Sequence, residues 1–301
     1  MNGMDRNQAI GLVLISAMLI IYFTFFSAPP QQEKRITADT LNVTSVDSNK
    51  VVKSLDTAAL KQQYGSFASA VSGIEQEQVL ENDELKITFS NKGGVIKHVL
   101  LKNFQTYTKQ PLYVIASDYH KFELSIPAGS GVTNISELFY SSSLNVSADK
   151  KSLTFRLAIS PEKYIEHVYS LNNKGFELQY NIVAKGFENE FKGKQASINW
   201  LEQFQNTEKD VVEARKTANV TYRTFETGFH SLSETKTELQ EEKIENKINW
   251  VVFKQKFFSA GLIADNGFTG GTVTSSVDVA STTTVKNFSA SLGFPAENLQ
   301  N

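Results

Sequence analysis

Residues 85–101 read LKITFSNKGGVIKHVLL, and the order of residue types along them decides the fold. Leu85, Ile87 and Phe89 alternate with Lys86, Thr88 and Ser90. Successive side chains of a strand point to opposite faces, so this spacing makes one apolar face and one polar face. Asn91-Lys92-Gly93-Gly94 follows, a cluster of turn formers in which glycine takes up positive φ without steric cost. Residues 95–101 then return as an apolar partner. The stretch predicts an antiparallel hairpin.

The same device recurs further along. Leu153, Phe155, Leu157 and Ile159 share one face, with Thr154 and Arg156 on the other. Residues 164–171 are followed by Asn172-Asn173-Lys174-Gly175 and then by Phe176, Leu178, Tyr180 and Ile182 on one face, a hairpin with both arms patterned. Asp265-Asn266-Gly267 supplies a third turn signal, between residues 257–264 and 271–279. Runs of period two dominate from Leu85 to Leu292, and no helix alternates with them, which excludes a parallel α/β sheet. The fold class expected is all-β: an antiparallel β-sandwich over residues 79–301, with aromatic residues between its layers.

Outward from this domain the composition changes twice. Residues 27–78 carry Pro29-Pro30, Gln31-Gln32 and scattered small polar residues, too few apolar groups to offset chain entropy, and read as a flexible linker. Residues 55–71 (LDTAALKQQYGSFASAV) hold a weak helical option within it. Residues 9–26 read AIGLVLISAMLIIYFTFF, 18 residues without a charge. At about 1.5 Å per residue they cover roughly the hydrocarbon core of a bilayer. Tyr22, Phe23, Phe25 and Phe26 lie at the end where aromatic rings favour the interface. Bulky Phe26 two places before Ala28 makes a poor cleavage site, so the run is expected to stay as a transmembrane anchor in the lipid bilayer. Residues 1–8 form a short cytoplasmic leader, and the long remainder is expected outside the cytoplasm.

Composition removes several functions. With 30 basic and 32 acidic residues and a net charge of −2, the chain has no basic stripe for nucleic acid. It contains no cysteine, so disulfides, thiolate metal sites and cysteine nucleophiles are excluded. His98, His120, His167 and His230 lie far apart, and no catalytic, cofactor-binding or metal motif is present. No cofactor or obligatory metal is expected. His98 and His167 are mid-strand and would need Glu166 or Glu123 beside them to act as acid–base groups. Residues 234–247, with five glutamates among three lysines, read as a solvated connector. Five N-x-S/T sequons, at Asn42, Asn134, Asn145, Asn219 and Asn287, would carry glycans only in a eukaryotic surface glycoprotein.

The most apolar stretch outside the anchor is 248–264, INWVVFKQKFFSAGLIA. It reads as two core strands with a short helical turn between them. Its density of large side chains also marks Trp250, Phe253, Phe257, Phe258 and Leu262 as a possible partner contact.

Three segments together resemble the N-terminal half of the YidC-type membrane protein insertases. They are the opening MDRNQAIGLVLISAMLIIYF, the strand pair and its sequel ENDELKITFSNKGGVIKHVLLKNFQTYTKQPLYVI at 81–115, and WVVFKQKFFSAGLI at 250–263. The resemblance implies a β-supersandwich in the periplasm, held by the first transmembrane helix to the bacterial inner membrane. It implies a chaperone and insertion role, not an enzyme, with Sec translocon components and nascent membrane proteins as partners. The multi-helix insertase core of that family has no counterpart in these residues, so a truncated or partial chain is expected, without its closing strand. The competing expectation is a membrane-anchored carbohydrate-binding or mutarotase-like supersandwich protein, which would bring His98 and His167 together with a glutamate.

Overall fold

The computed structural model of the protein describes residues 57–128 and 131–300. The leader, the anchor at 9–26 and most of the expected linker lie outside the described residues. Among the described residues no helix is long and apolar enough to cross a membrane.

The described residues form eighteen strands that pair antiparallel throughout, in four sheets. The first is a meander of β1 (Glu77–Glu81), β2 (Leu85–Ser90), β3 (Val95–Gln105) and β4 (Pro111–Ile115), in chain order. The second is a meander of β7 (Ser141–Val146), β8 (Lys150–Ser160), β9 (Lys163–Asn172) and β10 (Leu178–Lys185). A six-stranded sheet gathers β5 (His120–Ala128), β6 (Gly131–Asn134), β11 (Gln195–Gln205), β14 (Gln240–Ile244), β17 (Gly270–Ser276) and β18 (Thr284–Pro295), in the order β14-β17-β18-β11-β5-β6. The fourth is β13-β12-β15-β16, built from β12 (Asn219–Thr224), β13 (Gly228–Ser231), β15 (Ile248–Lys254) and β16 (Ser259–Phe268).

The opening hairpin forms as its pattern predicts. Leu85, Ile87 and Phe89 are buried on β2, which pairs with β3 across the Asn91–Gly94 turn. Both glycines have positive φ, and a Cβ on Gly93 would stand 2.4 Å from the Ser136 carbonyl oxygen, so no other residue fits there. Facing layers meet through aromatic rings. Phe89 of the first sheet packs on Phe155 and Tyr169 of the second, at 6.0 and 4.6 Å between centroids. Trp200 of β11 stacks on Phe253 of β15 at 3.9 Å, and Phe253 meets Phe288 of β18 at 5.4 Å. Burial of such rings supplies the largest apolar areas per residue in the core.

Four local expectations change. The helical option within the linker is realised as α1 (Thr57–Tyr64) and a 3-10 segment, Gly65–Ala70, and β1 begins at Glu77. Phe67 is buried and stacks on Phe187 at 5.8 Å, while the Thr133 hydroxyl donates to the Gln63 carbonyl. One well-placed aromatic anchors a segment whose average composition is linker-like. Asp265-Asn266-Gly267 is not a turn but a bulge inside β16: Ile248 faces Phe268 while Trp250 faces Ile263. Gly267 has φ +68, and a Cβ there would meet Phe225 and Lys247 within 3 Å, so the chain bends under those side chains. The 255–258 connection holds no helical turn; the Gln255 amide donates to the Phe258 carbonyl and closes a hairpin. Phe176 precedes β10 and is exposed, whereas Leu178, Tyr180 and Ile182 pack on the core.

Candidate functional site

The apolar stretch 248–264 is the β15–β16 hairpin, and strand geometry distributes its side chains over three places. Ile248, Val251 and Phe253 point inward and are fully buried. Phe253 is therefore a core residue locked between Trp200 and Phe288, and is corrected from a partner contact to a packing element. Leu262 lies on the inner side of β16, half-buried against the core. At the hairpin tip Phe257 is 64% exposed with the Lys256 ammonium 5.3 Å from its ring centre, while Phe258 meets Phe104 edge-on at 5.4 Å. Trp250 points to the opposite, outer face of the sheet.

That outer face holds residues the sequence did not single out. In the ladder Arg223 of β12 lies opposite both Phe229 of β13 and Trp250 of β15, and Trp250 lies opposite Ile263 of β16. Directly opposed residues share a face with Cβ atoms about 5 Å apart. The four side chains thus form a row across the whole sheet. Phe229 is 61% and Ile263 is 72% exposed, and the Phe229 and Trp250 rings approach to 6.0 Å across the strand that carries Arg223. The solvent face of an antiparallel sheet is ordinarily polar, so a row of Phe, Trp and Ile departs from pattern. Its only sequence signal is the unbroken apolar run Trp250-Val251-Val252-Phe253, where a half-buried strand would alternate.

The histidines are placed differently from the acid–base expectation. His167 is buried, with Nδ1 bonded to the Tyr180 hydroxyl at 2.7 Å and Nε2 without a partner. Burial lowers its pKa to about 3 and keeps the ring neutral. Glu166 points away and pairs with Arg156 at 2.8 Å. His98 lies half-buried on β3, edge-on to the Tyr113 ring. The close histidine–carboxylate pair is instead His120 with Glu202, 2.7 Å apart and opposite each other on β5 and β11. Burial raises the Glu202 pKa, and the hydrogen bond from His120 opposes that rise. Eighty-two residues separate the two in sequence, so no local motif announces them. The pair ties two strands together, and its Glu202 lines a cleft of about 230 Å³ with Tyr113, Tyr119, Gln203 and Gln255. Among the described residues no three His, Asp or Glu side chains converge as a metal site. The expected charged connector 234–247 contains the strand β14, and its glutamates are dispersed: Glu242 accepts from the Tyr222 hydroxyl, Glu234 pairs with Lys254, and Glu245 pairs with Lys243.

Comparison with known proteins follows the fold. Residues 77–296 match the model of the YidC periplasmic domain. A membrane protein insertase YidC from Cytophaga hutchinsonii is 34% identical over 275 residues, covering 88% of this chain and 44% of that protein. The protein of the same name from Amoebophilus asiaticus is 28% identical, covering 99% of this chain and 50% of its own length. The chain thus spans about half the length of these curated relatives. Among solved structures, a galactose mutarotase related enzyme from Lactobacillus acidophilus superposes with a TM-score of 0.43 at 11% identity, over 72% of this chain and 85% of that one. A putative aldose 1-epimerase from Escherichia coli gives 0.43 at 10% identity, over 76% and 91%. By its match over residues 77–296, the chain belongs to the YidC periplasmic domain family.

Proposed function

We propose that this chain is the anchor and periplasmic domain of a membrane protein insertase and chaperone that helps insert and fold inner-membrane proteins, alone or with the Sec translocon. The observation that carries the proposal is the family match over nearly the whole β domain, together with relatives named as insertases. In this reading residues 1–8 are cytoplasmic, 9–26 span the inner membrane once, and the sandwich stands in the periplasm. The sandwich binds and positions partners; it does not catalyse a reaction. Trp250, Phe257, Phe258 and Leu262 belong to its contact region, with Phe253 supporting them from the core.

The apolar run 9–26 offers only Ser16, Thr24 and the Tyr22 hydroxyl as polar groups. Moving hydrophilic client segments through hydrocarbon needs a polar surface within the bilayer. These 301 residues on their own are therefore expected to dock partners without inserting clients. The test is protease added to spheroplasts, with mass spectrometry of the product. Degradation of 79–301 with residues 9–26 still attached to the sandwich before digestion supports the proposal. Protection of the domain, or a mature N-terminus at Pro29, overturns it. Restored growth of an insertase-depleted host on these residues alone would show that the docking role is too narrow.

A further inference from the structure

The outer row of the fourth sheet has a charge pattern that specifies what it binds. Of the three described arginines, Arg156 is bonded to Glu166 and the Pro161 carbonyl, and Arg215 donates to four backbone carbonyls. The side chain of Arg223, exposed at the centre of the row, makes neither an ion pair nor a hydrogen bond among the described residues. Glu226, in the β12–β13 turn, and Asp265, in the β16 bulge, take part in no ion pair among the described residues. Lys247 is likewise without an ion pair and lies 5.3 Å from the Phe225 ring centre. An unpaired guanidinium flanked by Phe229 and Trp250, with Ile263 on the edge strand, has the side-chain types that dominate binding energy at protein interfaces.

We propose that the row Phe229–Arg223–Trp250–Ile263 docks an apolar protein segment that carries a carboxylate, with the carboxylate on Arg223. A second copy of this chain is disfavoured as the occupant, because a two-fold contact centred on the row brings one Arg223 towards the other. An apolar segment without an acid leaves the guanidinium desolvated and unpaired, which costs more than the apolar contact returns. A segment with Asp or Glu forms a charge-assisted, bidentate pair in an apolar surround, the geometry for which arginine is suited. The proposal deepens the docking role given above and rests on it.

The natural chain has no cysteine, so one introduced thiol is a unique attachment point. The full chain carrying Ile263→Cys, labelled with a maleimide photo-crosslinker in the membranes of expressing cells, is compared with Val279→Cys, which is 70% exposed elsewhere. The expected result is a protein adduct at 263 and not at 279, reduced at least about tenfold by Arg223→Glu and reduced less by Arg223→Lys, which keeps the charge but not the bidentate fork. Replacing the partner's crosslinked Asp or Glu by Lys is expected to restore the adduct to Arg223→Glu. Arg223→Gln, with a thermal melt matching the parent, separates lost binding from lost folding. An adduct equal at both positions, an adduct to a second copy or to lipid, or one indifferent to Arg223→Glu overturns the proposal. A charge-dependent adduct with a protein unconnected to membrane protein biogenesis supports it while removing the insertase role.

Discussion

Two central strands of the molecule, β9 and β15, obey the strand period differently. On β9 every second residue from Ile165 to Leu171 is buried, and the intervening Glu166, Val168 and Ser170 are half-exposed. One face makes core, and the other meets solvent with mostly polar groups. On β15 Val251 and Phe253 are buried, yet Trp250 before them and Val252 between them, on the other face, are also apolar. The packing on the inner side is complete through Trp200 and Phe288, so the outward groups are not needed to close the sandwich. Apolar residues beyond what burial requires are where an interaction role is to be sought, and alternation marks where it is not.

The largest effect that can break this comparison comes from truncating each face of β15 in turn. Phe253→Ala removes a fully buried ring from between Trp200 and Phe288 and should cost about 3–5 kcal/mol by urea denaturation. Trp250→Ala, on the outer face, should cost less than about 1 kcal/mol. Equal losses would mean that both faces are core.

On β9 the inward stripe contains two titratable groups, Tyr169 and His167, and of these only His167 has an ordinary pKa on the acid side of neutrality. The folded pKa of His167 is lowered by burial to about 3, from an ordinary 6.5. Above pH 6.5 the ring is neutral in both states and its contribution is intact. Below that the unfolded chain takes up a proton and the folded one does not, so stability falls until the folded pKa is reached. Between pH 7 and pH 5 the native chain should lose about 2 kcal/mol more than His167→Gln, measured as the difference in urea midpoints at the two values. A parallel pH dependence in both proteins would show that His167 does not stay neutral in the fold.

The smallest stability effect belongs to the edge. Ile263→Asp, at 72% exposure, should leave the unfolding free energy within about 0.5 kcal/mol of the parent's by urea denaturation. Leu262→Asp, one residue away on the inner side, should destabilise visibly because it places a carboxylate against the core. A reversal of that order would reassign the two faces of β16.

Much of the fold was legible in residues 85–101 and 153–182, because alternation, turn glycines and long antiparallel pairing are local signals. Features set by distant contacts were not. Phe67 looked like part of a linker, since nothing near it in sequence shows Phe187 waiting 120 residues away. Asp265-Asn266-Gly267 has the composition of a turn, and only the packing of Phe225 and Lys247 over Gly267 makes it a bulge. For the site, composition marked the 248–264 stretch but could not sort its faces, so Phe253 was grouped with Trp250. Arg223 and Phe229 became visible only through the cross-strand register, as did His120 with Glu202.

The outer face of the fourth sheet carries an apolar row, Phe229, Trp250 and Ile263 around Arg223, that is open to solvent, whereas its inner face is sealed in the core. The chain holds two tryptophans, one on each side of that distinction: Trp200 in the core against Phe253, and Trp250 on the outer face. Trp250→Phe and Trp200→Phe each leave a single emitter, and acrylamide quenching reads its access to solvent. Emission is expected to be blue-shifted and weakly quenched when Trp200 remains, and red-shifted and quenched several-fold more strongly when Trp250 remains. Equal quenching of the two, or a Trp250 as protected as Trp200, would contradict that distinction.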